Sequence, residues 1–132
     1  MTAPLQRVLE RNVAAVAIAA SDDTVLGQAE FDATVTRVEY IPEAVITGVN
    51  TNTRRVELRN AGQGGAGAVV PASLQFNAGT NAAANDERVL TLSGTAADLL
   101  VTAGDTLVWR SAAVGTGLAD PGGLVRVTLS RR

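Results

Sequence analysis

Most of the side chains that carry protein chemistry are missing from this chain, so the search for a reactive group begins with its carboxylates. The 132 residues include no His, no Cys and no Lys, and all 11 basic residues are Arg. That removes a Ser–His–acid triad, a thiolate nucleophile and a Schiff-base lysine. It also removes disulfides and the usual zinc ligands, leaving carboxylates alone to hold a metal. A carboxylate pair of the kind that hydrolyses glycosides is the remaining catalytic candidate. Glu39 and Glu43 lie nearest to that arrangement, but such carboxylates are ordinarily surface groups. No catalytic residue is assigned, and the chain is expected not to be an enzyme. Asp22-Asp23 and Asn85-Asp86-Glu87 offer hard oxygen atoms suited to calcium. Neither follows a calcium-loop spacing and turn capping accounts for both, so no metal and no cofactor are expected.

Gly62-Gln63-Gly64-Gly65-Ala66-Gly67 matches GxGxxG letter for letter. A dinucleotide site needs that loop to open a helix whose N-terminus holds the pyrophosphate. Val69-Val70-Pro71 follows instead, so the glycines read as a connector between strands. Trp109 and Tyr40 are the only side chains suited to stack on a sugar, and both fall in strands that need their bulk for a core.

The elements that would position any site are strands. Leu107, Trp109 and Ser111 alternate with Val108 and Arg110; Val125, Val127 and Leu129 alternate with Arg126, Thr128 and Ser130. This is the period of half-buried strands. Ala103-Gly104-Asp105 and Pro121-Gly122-Gly123 mark the turns before them. Upstream, Val13–Ala20, Thr24–Phe31, Ala33–Tyr40, Thr53–Asn60, Ser73–Asn77 and Glu87–Ser93 also read as strands, with a helical turn over Thr95–Leu100. In Thr53–Asn60, Val56 and Leu58 face in while Arg55, Glu57 and Arg59 face out. Phe31, Ala33 and Val35 share one parity and Val38 and Tyr40 the other, which predicts a bulge or bend near Thr36-Arg37. The expectation is an all-β chain: an antiparallel, jelly-roll-like β-sandwich of about eight strands, with a single domain over residues 13–132.

Residues 1–12 are expected to stand apart as an arm or short helix. Leu5, Val8 and Leu9 have helical spacing, with Arg7 and Arg11 beside them. So short a segment forms no stable helix alone. It is expected to be mobile in the free protein and to order against a neighbour. Val13–Ala20 has the small residues of a signal-peptide cleavage site, but Glu10 and Arg11 precede it and the run is short. Nothing approaches the length of a membrane span.

Composition fits a single globular unit, with hydrophobic content of 46% and charged content of 18%. Aromatics make up only 3%, so the core must be aliphatic. A net charge of −2 argues against a nucleic-acid surface. Arg54, Arg55 and Arg59, and the pair Arg131 and Arg132, are candidate contacts to an acidic protein neighbour, a task suited to the forked guanidinium. A solvated strand face is their competing role.

Taken in order, VTRVEYIPEAVITGVNTNTRRVELRN, a Gly-rich loop, PASLQFNAGTNA, ERVLTLSG, VTAGDTLVWRS and VGTGLADPGGLVRVTL resemble the small jelly-roll head proteins of tailed bacteriophages that infect actinobacteria. Some of those proteins decorate capsids, and similar domains occur in tail and fibre proteins. The resemblance spans roughly Phe31 to Leu129 and rests on turns and strand edges. It implies a structural virion protein, made in the host cytoplasm, that binds the major capsid protein on the outside of the head and cements it, commonly as a trimer. It implies no nucleic-acid, membrane or small-molecule partner. A tail or fibre module that binds a host-surface receptor or glycan is the alternative.

Overall fold

The computed structural model describes residues 5–132. It is an all-β sandwich of two antiparallel sheets. The strands are β1 (Gln6–Val13), β2 (Asp22–Gln28), β3 (Ala33–Pro42), β4 (Thr53–Gly62), β5 (Val69–Gln75), β6 (Arg88–Val89), β7 (Thr91–Leu92), β8 (Leu100–Val101), β9 (Thr106–Val114) and β10 (Gly123–Arg131). One sheet runs β1-β10-β3-β6, with β8 also on β3; the other runs β2-β9-β4-β5-β7. The first strand therefore pairs with the last, the second with the last but one, and β4 with β5. This is a long hairpin folded over on itself, the wrapping of a jelly roll.

Alternation builds the core. Val125, Val127 and Leu129 of β10, Val35, Val38 and Tyr40 of β3, Val56 and Leu58 of β4, and Leu107 and Trp109 of β9 are all buried between the sheets. The change of parity in β3 is a bulge: Val35 faces Leu129 and Arg37 faces Thr128, leaving Thr36 without an opposite residue. The extra residue keeps Val35 and Val38 on the same inward face. Residues Glu87–Ser93 do not form one strand. Arg88–Val89 pairs with β3 and Thr91–Leu92 with β5, so the chain changes sheets at buried Leu90, whose amide donates to the Val38 carbonyl at 2.9 Å. A short 3-10 helix, Ala96–Leu99, occupies the expected helical turn.

Two expectations are corrected at the N-terminal side. Leu5, Val8 and Leu9 are not one face of a helix, and the segment from Gln6 onward is not a detached arm. Gln6–Val13 pairs in unbroken register with β10, from Gln6 opposite Ser130 to Val13 opposite Gly123. The physical reason is alternation, which helical spacing disguised: Leu9 and Val13 turn toward the core while Val8 turns out. Residues 1–4 of the proposed arm lie outside the described residues. Val13–Ala20 is not a strand beyond Val13; it is an irregular crossing between the sheets, fixed by one bridge from Val16 to Asp120.

Candidate functional site

Strand direction gathers four loops at one end of the sandwich: residues 14–21, 43–52, 76–87 and 115–122. Hydrogen bonds tie each to the next. Val16 and Asp120 exchange backbone bonds of 2.8 Å, and Ile46 and Ala82 exchange bonds of 2.9 Å. The Glu43 amide donates to the Gly122 carbonyl at 2.9 Å. The Thr116 amide donates to Asn52 Oδ1 at 3.0 Å, and the Gly48 amide to Asn81 Oδ1 at 2.9 Å.

Beneath the loops lies a buried polar cluster. Arg54 is completely buried. Its Nε donates to the Leu118 carbonyl at 2.8 Å, Nη1 to the Ala20 carbonyl at 2.9 Å and Nη2 to the Ala17 carbonyl at 3.1 Å. Nη1 also reaches Ser111 Oγ at 3.4 Å. One guanidinium thus holds loop 14–21 against loop 115–122. Asp120 completes the cluster: Oδ2 accepts from Ser111 Oγ at 2.6 Å, and Oδ1 accepts from the Gly122 amide at 3.0 Å and from the Tyr40 hydroxyl. Loss of hydration pulls Arg54 below the ordinary arginine range, and the nearby Asp120 charge opposes that pull. Burial pushes the Tyr40 phenol far above the ordinary range, and the Asp120 carboxylate adds to the shift. The Tyr40 ring packs on Trp109 with centroids 5.3 Å apart.

The cluster fixes loops. Among the residues the loop end exposes are two aliphatics, Ile18 and Val45, each more than half exposed, alongside polar side chains such as Glu43, Asn50 and Asn81. Beside it, Ser21, Asp22, Asp23 and Arg110 line an open polar depression of about 180 Å³.

The arginines named as partner contacts are mostly engaged within the chain. Arg54 is the clear correction: it lies on no solvated face. It shares the inward parity of Val56 and Leu58, the signal that would have found it. Arg7 pairs with Glu30 at 3.0 Å, Arg55 with Glu57 at 3.0 Å and Arg59 with Asp23 at 3.6 Å. Arg131 lies over the Phe31 ring at 5.6 Å, and Arg132 donates to the Val101 carbonyl at 2.8 Å and the Ala33 carbonyl at 3.2 Å. Arg11 is exposed, with no ion pair within 4.0 Å among the described residues. Leu5 and Val8 are exposed and Leu9 is half-buried.

Of the carboxylates considered for catalysis, Glu39 is buried and not the surface group expected, held by Arg37 at 3.2 Å and Arg126 at 3.7 Å. Glu43 is exposed at the loop end. Trp109 and Tyr40 are buried, so neither is a sugar platform. Among the described residues, no three acidic side chains converge on a metal position.

Comparison of the chain with protein-family models, with curated proteins and with solved structures finds no match in any of the three.

Proposed function

We propose that this chain is a non-enzymatic structural protein of a phage virion that docks through its loop end onto the outer surface of the head. The observation that supports this is the contrast within that end. Two of the four loops are braced from below by Arg54 and Asp120 and the others are tied to them by hydrogen bonds, while Ile18 and Val45 stand exposed among them. Loops fixed in advance lose little conformational entropy on binding, and an exposed aliphatic gains free energy when a partner covers it. The resemblance to actinobacteriophage head proteins supplies the identity of the partner, the major capsid protein.

Cryo-electron microscopy of virions tests the reading: density for the sandwich should stand on the head exterior with its loop end down. Ile18→Ser with Val45→Ser should leave the melting temperature within a degree or two and abolish co-sedimentation with heads that lack the protein, since exposed positions seldom affect stability. Undiminished binding of that variant would remove the loop end from the attachment surface.

A further inference from the structure

The four sheet edges are not alike. At the far edges β6, β7 and β8 are two residues long. The register of β2 shifts between Val25 and Gly27, a bulge at its edge. Short strands and bulges are the ordinary ways to stop an edge from recruiting another strand. Edge strand β1 has neither. Its eight residues run without a register shift, contain no Pro, and carry exposed Val8 in the middle.

The hydrogen-bond pattern shows which groups face outward. The Arg131 amide donates to the Leu5 carbonyl at 2.8 Å, and opposite residues in an antiparallel ladder alternate between bonded and non-bonded pairs. Leu5, Arg7, Leu9 and Arg11 therefore bond toward β10. The N–H and C=O groups of Gln6, Val8, Glu10 and Asn12 point away from the sheet, where no strand meets them among the described residues.

We infer that two copies of this chain pair antiparallel through β1 about a two-fold axis at Val8, making one sheet continuous across both. Charge and the length of strand paired together select this register. The outward groups of even-numbered residues must oppose one another, so the axis can fall only at successive residues of β1. An axis at Arg7 sets Arg7 against Arg7, and one at Leu9 sets Arg7 against Arg11. At Glu10 the axis opposes Glu10 to Glu10, and at Arg11 it opposes Arg11 to Arg11. An axis at Gln6 or Asn12 opposes no like charges but pairs only three residues of each copy, residues 5–7 or 11–13, before the described chain or β1 ends. Like charges directly opposite destabilise a pair. An axis at Val8 sets Val8 on Val8, Gln6 opposite Glu10, Arg7 opposite Leu9 and Leu5 opposite Arg11. The Arg7 charge is already met by Glu30 at 3.0 Å and that of Glu10 by Arg126 at 2.7 Å. The interface is self-complementary, as a two-fold contact requires.

This pairing stands on the strand edge alone and does not depend on the head-surface reading. Sedimentation of the full chain should show a concentration-dependent species of twice 13.5 kDa. Val8→Pro should return it to a monomer with unchanged far-ultraviolet dichroism, because the Val8 amide bonds outward and not to β10. Cysteine substitution gives a second reading in a chain with no Cys of its own. Oxidised Val8→Cys should cross-link alone. Gln6→Cys and Glu10→Cys should cross-link only when mixed. A monomer at every concentration, a trimer, or cross-linking by Gln6→Cys alone would overturn the inference. Head binding by a monomeric or trimeric chain would leave the proposed function standing, whereas a dimer that ignores heads would do the reverse.

Discussion

Arg54 and Asp120 share one hydroxyl: Ser111 Oγ accepts from Arg54 Nη1 at 3.4 Å and donates to Asp120 Oδ2 at 2.6 Å. The two charges come from different elements, one from β4 and one from loop 115–122. Each loses its counter-charge if the other is removed. Breaking a buried charged pair on one side typically costs about 3–5 kcal/mol, and Asp120→Asn and Arg54→Met should each lose that much in denaturant melts. Arg54→Met also strips a donor from the carbonyls of Ala17, Ala20 and Leu118. The double variant should lose clearly less than the sum of the two, because the residues share partners. A strictly additive result would show that the cluster does not act as a unit.

The chain has a single Tyr, so its titration can be read directly. The folded pKa of Tyr40 lies above the unfolded value, because burial and Asp120 disfavour the phenolate. A group shifted this way lends full stability below its unfolded pKa, about 10, and loses it as pH rises from there toward the folded value. Tyrosinate absorbance should therefore appear together with unfolding and not before it. Tyr40→Phe should flatten the alkaline fall in stability while lowering stability at neutral pH. Tyrosinate forming in a folded protein near pH 10 would contradict the burial of Tyr40.

Trp109 is the largest fully buried side chain. Its Nε1 is buried without a hydrogen-bond partner in the protein, so its contribution is packing, chiefly on Tyr40. Trp109→Ala should cost about 3–5 kcal/mol. Trp109→Phe should recover most of that loss, since it keeps a ring on Tyr40 and removes the unpartnered donor. A loss under about 1 kcal/mol for the alanine variant would be inconsistent with a core position.

Within the glycine loop, two positions should behave oppositely. A Cβ on Gly64 meets no atom within 4 Å, while one on Gly67 would sit 2.6 Å from the Asn60 carbonyl oxygen. Gly64→Ala should change stability by no more than about 0.5 kcal/mol, the usual range for surface substitutions. Gly67→Ala should destabilise measurably, because the obstacle is backbone and cannot swing away. Equal melting temperatures for the two variants would refute the distinction.

How much of this was legible in the sequence differs by element. The sandwich, the β3 bulge and the inward faces of β4, β9 and β10 follow from alternation, which local residues report faithfully. Strand β1 did not announce itself, because Leu5, Val8 and Leu9 also satisfy helical spacing and only pairing with β10 decides between them. The split at Leu90 was hidden for a similar reason: an uninterrupted strand pattern does not reveal which sheet each half joins. Arg54 and Ser111 carried the right parity, but a charge on a strand is ordinarily solvated. Asp120 only precedes the turn at Pro121-Gly122-Gly123 in the sequence. Its partners come from β3 and β9, and no local pattern links them.

The pairing of early strands with late ones constrains how the protein is made. Strand β10 lies between β1 and β3, yet it is translated after both and after every other strand. While synthesis proceeds, β1 and β3 have no central strand between them, and each keeps an open flank that others could recruit. The four-stranded core β2-β9-β4-β5 likewise waits for β9. Such long-range pairing folds slowly and leaves nascent strands exposed. Productive folding of this sandwich therefore begins only once β9 and β10 are both free of the ribosome. Until then, the yield of native protein depends on keeping unfinished chains apart.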